Sequence, residues 1–229
     1  MTIQKSVAVS LILLAGALPA GLAGCKDTDT ESVEGVSAAS NSGPVTIDKM
    51  GGEIDVKDAP QGATLNTMGG DIHIGDVGSF AKANTMGGSI TIDHAHARVD
   101  ATTMGGNVTV KDATGPVHAT TMAGDVMVHL AGSASGQRDV HLASKAGTMT
   151  LIVPKDFGMD VRIKLAYTKG NEKKFAIMDH VGLNQHESAD WDSSQGTPRK
   201  YIYAEGRVGS GQNHVEIDTI NGDVIVKQE

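Results

Sequence analysis

From Met50 onward, β-branched residues alternate with polar ones in a pattern that returns every 18 residues. Each copy opens with a methionine and a small pair: Met50-Gly51-Gly52, Met68-Gly69-Gly70, Met86-Gly87-Gly88, Met104-Gly105-Gly106 and Met122-Ala123-Gly124. With the methionine as position zero, positions four and six hold Ile54/Val56, Ile72/Ile74, Ile90/Ile92, Val108/Val110 and Val126/Val128. The residues between them include Asp55, His73, Thr91 and Thr109. A period of two marks a strand with one face inside. Positions thirteen and fifteen repeat the signal more weakly, as Val45/Ile47, Ala63/Leu65, Ala81/Ala83, Val99/Ala101 and Val117/Ala119. Each unit therefore predicts two short strands. It cannot bury its own apolar side chains and must stack on copies of itself.

The expected fold class is all-β: a parallel β-solenoid with 18-residue rungs of two short strands, plus a long loop excursion near the C-terminal end. A three-sided hexapeptide coil needs an aliphatic residue every six positions. Those slots read Ile72, Gly78, Asn84 and then Ile90, His96, Thr102, so a flattened two-sheet coil fits better. Stacking makes columns of Thr67, Thr85, Thr103 and Thr121 and of the methionines beside them. The methionines are expected to plug the end of the thin core, with a thioether site for Cu(I) as the alternative. The glycine pair is expected to supply positive φ at the turn. After Gly132–Gly136 the pattern resumes at Val140, and a last rung runs from Val215 to Val226. Between them Val161, Ile163, Leu165 and Tyr167 read as a longer strand, followed by the excursion at about 169–200.

Composition sets the address. Residues 1–24 read as a lipoprotein signal peptide: Lys5, an apolar run from Val7 to Leu18, then Leu22-Ala23-Gly24-Cys25 as a lipobox. Cys25 is the expected lipidation site, and as the single cysteine it leaves no intramolecular disulfide. Several acyl chains give a stable anchor. Lys26 after the cysteine favours the outer membrane facing the periplasm, with surface exposure open. Residues 25–42 are polar, lack periodicity and read as a flexible tether, leaving 43–229 as one β-solenoid domain. Removing Lys5 with the signal leaves 18 basic against 27 acidic side chains, net −9. That balance argues against nucleic acid as a partner.

With signal, glycine-pair repeat and the closing Gly209-Ser210-Gly211 and Val215-Glu216-Ile217-Asp218-Thr219-Ile220-Asn221-Gly222-Asp223-Val224 stretch in view, the chain resembles a known group. It is similar to the β-strand-repeat "putative adhesin" family of bacterial cell-envelope proteins, a domain of unknown function. The resemblance runs from about Gly43 to Lys227 and implies a β-solenoid in the cell envelope. It brings no catalytic residues. This chain departs from the family's drifting repeat length by keeping five rungs in strict register.

Several constellations compete with plain structural roles. His94 and His96 stand two apart, and position eight reads Asp58, Asp76, His94, Asp112, a spacing compatible with Zn²⁺ or Cu²⁺. Asp is also a favoured turn residue. Ca²⁺-binding nonapeptide rolls need Gly-Gly-x-Gly-x-Asp, which is absent; outward Thr-x-Thr rows for ice are broken. The excursion holds Asp179, His180, His186, Glu187, Asp190 and Asp192, read by default as a solvated polar loop. Trp191, the single tryptophan, is the candidate for a partner contact or for a cap on the core. The expected function is a non-enzymatic, lipid-anchored scaffold without cofactor, meeting an envelope protein or a surface polymer. The alternative is a periplasmic metal-binding protein using His94/His96 or the loop histidines.

Overall fold

The computed structural model describes residues 43–132, 137–194 and 196–229. The expected signal peptide, Cys25 and the expected tether lie outside them. Every named element is a strand. One sheet has ten strands in the order β1 (Val45–Asp48), β3 (Ala63–Thr67), β5 (Phe80–Thr85), β7 (Arg98–Thr102), β9 (Val117–Thr121), β11 (Val140–Ser144), β17 (Asn213–Ile220), β13 (Met159–Thr168), β16 (Arg199–Val208), β15 (Asn184–Glu187). The other has eight: β2 (Ile54–Ala59), β4 (Ile72–Val77), β6 (Ile90–Ala95), β8 (Val108–Ala113), β10 (Val126–Leu130), β12 (Met149–Val153), β18 (Val224–Gln228), β14 (Ile177–Asp179). Pairing is parallel except where β16 meets β13 and β15.

The repeat dictates this register. Ile54 pairs with Ile72, Ile72 with Ile90 and Ile90 with Val108, all essentially inaccessible. Ala63, Ala81, Val99, Val117 and Val140 stack likewise in the facing sheet. Small side chains there keep the core thin, which suits an aromatic content of 3 %. The insertion at 132–136 leaves the register intact, since Val117 still pairs with Val140. The two-sheet solenoid read from the sequence is the architecture observed.

Period two does not run the full strand. In β2, β4, β6 and β8 positions seven and eight both face outward and position nine turns in, burying Ala59, Val77, Ala95 and Ala113. In β10 that extra residue is gone, and Leu130 takes the place opposite Ala113. The kink sets pairs of polar residues side by side on the outer surface, among them Asp93-His94 and Lys111-Asp112.

Two expectations at the corners are corrected. The threonines, not the methionines, fill the corner of the core. Thr85 is buried, donates to Gly70 O at 2.9 Å and accepts from Gly88 N at 3.2 Å, and Thr103 repeats this with Gly88 and Gly106. The methionines point into solvent, from 85 % exposed at Met50 down to 39 % at Met122. A threonine hydroxyl satisfies two backbone groups that a thioether would leave orphaned. Nor is positive φ the general reason for the glycines. Gly52 has φ of 85°, but Gly70, Gly88, Gly106 and Gly124 lie outside the left-handed region. The second glycine is needed because the rungs touch there: a Cβ on Gly88 would sit 2.0 Å from Gly70 O.

The excursion is also more than a loop. After β13 the chain lays β14 beside β18 and β15 beside β16, so it extends both sheets. Residues 213–228 then return and slot between the β11–β12 rung and the excursion. Phe175, Val181, Leu183, Trp191 and Ile202 pack against the core from this side. The excursion is the cap of the solenoid.

Candidate functional site

The outer surface of the eight-stranded sheet carries a chain of ion pairs running from rung to rung. His73 Nδ1 lies 3.0 Å from Asp55 Oδ1, and its Nε2 lies 3.0 Å from Asp93 Oδ2. Lys111 Nζ is 2.7 Å from the other oxygen of Asp93. Ionised carboxylates only accept, so the two contacts are satisfied together when His73 is protonated and both its ring nitrogens donate. Partial burial works against that charge, but the hydrogen bonds and charges of Asp93 and Asp55 outweigh it and hold the pKa above the usual histidine value. The Lys111 bond, reinforced by His73, lowers the Asp93 pKa against the opposing effect of burial.

The structure does not bring His94 and His96 to a common point. The kink leaves Ala95 buried between them. His94 Nδ1 turns to Asp112 at 3.1 Å, one rung ahead, and His96 Nε2 turns back to Asp76 at 3.2 Å. Asp112 is shared with His129 at 3.2 Å. Among the described residues no group of three or more His, Cys, Asp or Glu is arranged to hold a metal ion.

Three of the excursion acids expected in a solvated loop, Asp179, Glu187 and Asp192, are tied into the cap. Asp179 accepts from the backbone of Gly182 and Leu183, both at 2.8 Å, and from Gln185 Nε2 at 2.5 Å. Burial would raise its pKa, but these bonds lower it. Asp192 accepts from Ser194 N at 2.8 Å and from the Tyr201 hydroxyl at 3.0 Å. Glu187 accepts from the hydroxyl of buried Tyr167, whose pKa is pushed up to about 12 by burial and by that carboxylate. His186 stacks on Tyr203, with ring centroids 5.1 Å apart. Trp191 is half-buried and meets Tyr167 edge-on at 5.8 Å, with Lys200 Nζ 5.9 Å from its ring. The packing role of Trp191 is thus visible. It also borders a cavity of about 240 Å³ with Tyr167, Glu172, Lys173, Glu187, Lys200 and Ile202.

A larger groove, about 350 Å³, opens where the ten-stranded sheet passes from the regular rungs into the cap. Its wall includes Lys145, Lys164, Arg199, Tyr201 and Asp218. These come from the corner after β11 and from β13, β16 and β17, which the strand order places side by side. Lys164 Nζ sits 4.8 Å over the Tyr201 ring, and Tyr201 and Tyr203 stack at 5.9 Å. Burial, and then the charge of Glu216, raise the Asp218 pKa, while Lys164 opposes them. Three cations beside an aromatic face suit an anionic group presented on a flat or ring-shaped body. Sequence reasoning missed this groove. Its residues lie far apart in the chain, and the single legible hint was the alternating strand at Val161–Tyr167.

The family model described as Toastrack DUF4097 matches residues 28–227. No curated protein matches the chain. Among solved structures it is similar to a "putative cell adhesion protein" from Clostridium sporogenes ATCC 15579, with 16 % identity and a TM-score of 0.28. The match covers 72 % of this chain and spans 56 % of the other.

Proposed function

Because the chain belongs to the Toastrack DUF4097 family, whose fold is the stacked β-solenoid described above, we propose that it is a non-enzymatic envelope scaffold. In this reading Cys25 carries the lipid anchor and residues 25–42 the tether. The capped end meets an envelope protein or surface polymer in the manner of an adhesin. The observation that carries the reading is the groove of Lys145, Lys164, Arg199 and Tyr201 beside the cap. On a domain of net negative charge, it concentrates cations and aromatic surface. A partner presenting anionic groups fits it, and the acidic remainder of the domain repels such a partner elsewhere. The ion pairs on the opposite sheet support a structural use of those histidines and carboxylates, since each links one rung to another.

Two comparisons test it together. Cys25→Ser should release the protein from membranes after lysis. Lys164→Glu/Arg199→Glu should stay membrane-bound and keep its melting temperature, yet lose the species cross-linked to the wild type in intact envelopes. A Cys25→Ser protein that stays with the membrane defeats the anchor. Unchanged cross-linking in the charge-reversed variant defeats the groove.

A further inference from the structure

The five corner methionines are a surface feature that the fold does not require. The threonines beside them close the core, and Met149 and Met159 show where this chain buries methionine when it uses it for packing. At other outward positions the rungs differ freely: position five reads Asp55, His73, Thr91, Thr109, Met127. Position zero keeps its thioether in all five rungs although Met68, Met86 and Met104 are 52, 49 and 45 % exposed. The backbone fixes their spacing. Corner stacks on corner, as the hydrogen bond from Ala123 N to Met104 O at 3.2 Å and the near contact of Gly88 with Gly70 O require. The neighbouring Gly69 is bare, with nothing within 4 Å of where its Cβ would be, so the corner beside Met68 stays open.

From this ladder we propose a binding site for Cu(I), held between thioethers of adjacent rungs. Parallel strands stand about 4.8 Å apart, so equivalent side chains on successive rungs repeat at that distance. With the Zn²⁺–thiolate length of about 2.3 Å taken as a guide, two sulfurs on opposite sides of one ion span about 4.6 Å. One rung step therefore matches a linear two-sulfur site, and the ladder offers consecutive copies of it. Thioethers are soft, neutral ligands that select Cu(I) over Zn²⁺, Mg²⁺ or Ca²⁺. They carry no titratable proton, so the site keeps its ligands at pH values where histidine sites protonate. The inference stands independently of the partner-binding groove, which lies at the cap.

Ag(I), a redox-inert probe of the same softness, tests it on the chain carrying Cys25→Ser, where no thiolate competes. The protein is labelled with ¹³C at the methionine methyls and titrated at pH 7 and pH 5. The expected result is that Met68, Met86 and Met104 shift together at both pH values, while the isolated exposed Met127 and Met178 and the buried Met149 and Met159 stay in place. The combined variant Met68→Leu/Met86→Leu/Met104→Leu should bind at least about tenfold more weakly at an unchanged melting temperature. Anaerobic Cu(I) titration against a chelator should repeat that order. Equal shifts at Met127 and Met178, binding lost at pH 5, or full affinity in the leucine variant would each overturn the ladder site.

Discussion

The Thr85 hydroxyl donates to the carbonyl of Gly70, fifteen residues back and one rung down, at 2.9 Å. The same oxygen accepts from Gly88 N, so one buried side chain closes both strand-to-strand corners around it. Thr85→Val keeps the shape and removes both bonds, stranding two backbone groups. The expected cost is about 1–3 kcal/mol in urea unfolding, with Thr85→Ser recovering most of it. Equal stability of the valine and wild-type proteins would mean the hydroxyl is not structural.

The two glycines of one corner should behave differently. A Cβ on Gly88 would stand 2.0 Å from Gly70 O, whereas on Gly87 its nearest neighbours lie at 3.7 and 3.8 Å. Gly88→Ala forces rungs apart and should destabilise by about 1–3 kcal/mol or more. Gly87→Ala should be tolerated within about 0.5 kcal/mol, as Ala123 at the same position of the fifth rung already suggests. Thermal melting of the pair decides it.

The pKa values of His73 and His118 should be shifted in opposite directions. Carboxylates on both sides outweigh burial and raise His73. Burial, followed by the charge of His141 stacked 4.7 Å away, lowers His118. A raised folded pKa stabilises below the unfolded value near 6.5, and the gain is lost as pH rises through the folded value. The stability difference between wild type and His73→Gln should therefore be larger at pH 5.5 than at pH 8.5. It should amount to no more than about 1 kcal/mol because the ring is partly exposed. A difference that grows with pH would contradict the raised pKa of the carboxylate-bridged His73.

The cap should be part of the folding unit. Replacing residues 172–198 with a short linker removes β14 and β15 and uncovers the end of the core, so it should cost several kcal/mol rather than the small change of loop length. Trp191→Ala loses the edge-on contact with Tyr167 and should lower stability by about 1–3 kcal/mol. The Trp191 emission should be blue-shifted from that of the unfolded chain. A fully exposed emission spectrum with unchanged melting would remove Trp191 from the cap.

How far the chain could be read follows from how local each signal is. Ile72, Ile90 and Val108 announced their register because an exact internal period supplies its own alignment. Ala95 did not announce its burial, since the kink at Asp93-His94 breaks period two and alanine carries little pattern by itself. Met86 reads as the corner plug because hydropathy ranks its thioether above the Thr85 hydroxyl, whereas unpaired backbone at the corner calls for a hydroxyl. The cap strands were illegible for a different reason: Ile177 pairs with Val224 and Asn184 with Glu205, partners with no repeat between them. The groove shares that fate, because Lys145, Lys164 and Arg199 meet only through the late insertion of β17 between β11 and β13.

In the proposed function the capped end, rather than the rung faces, meets the partner. Site-specific photo-cross-linking in living cells tests it most directly, with benzoylphenylalanine placed once at Tyr201 in the groove and once at Thr109 on the outer surface of the opposite sheet. A discrete adduct is expected from Tyr201, lost with Lys164→Glu/Arg199→Glu, and none from Thr109. The same adduct from Thr109, or none from Tyr201 while the protein remains folded and anchored, would contradict it.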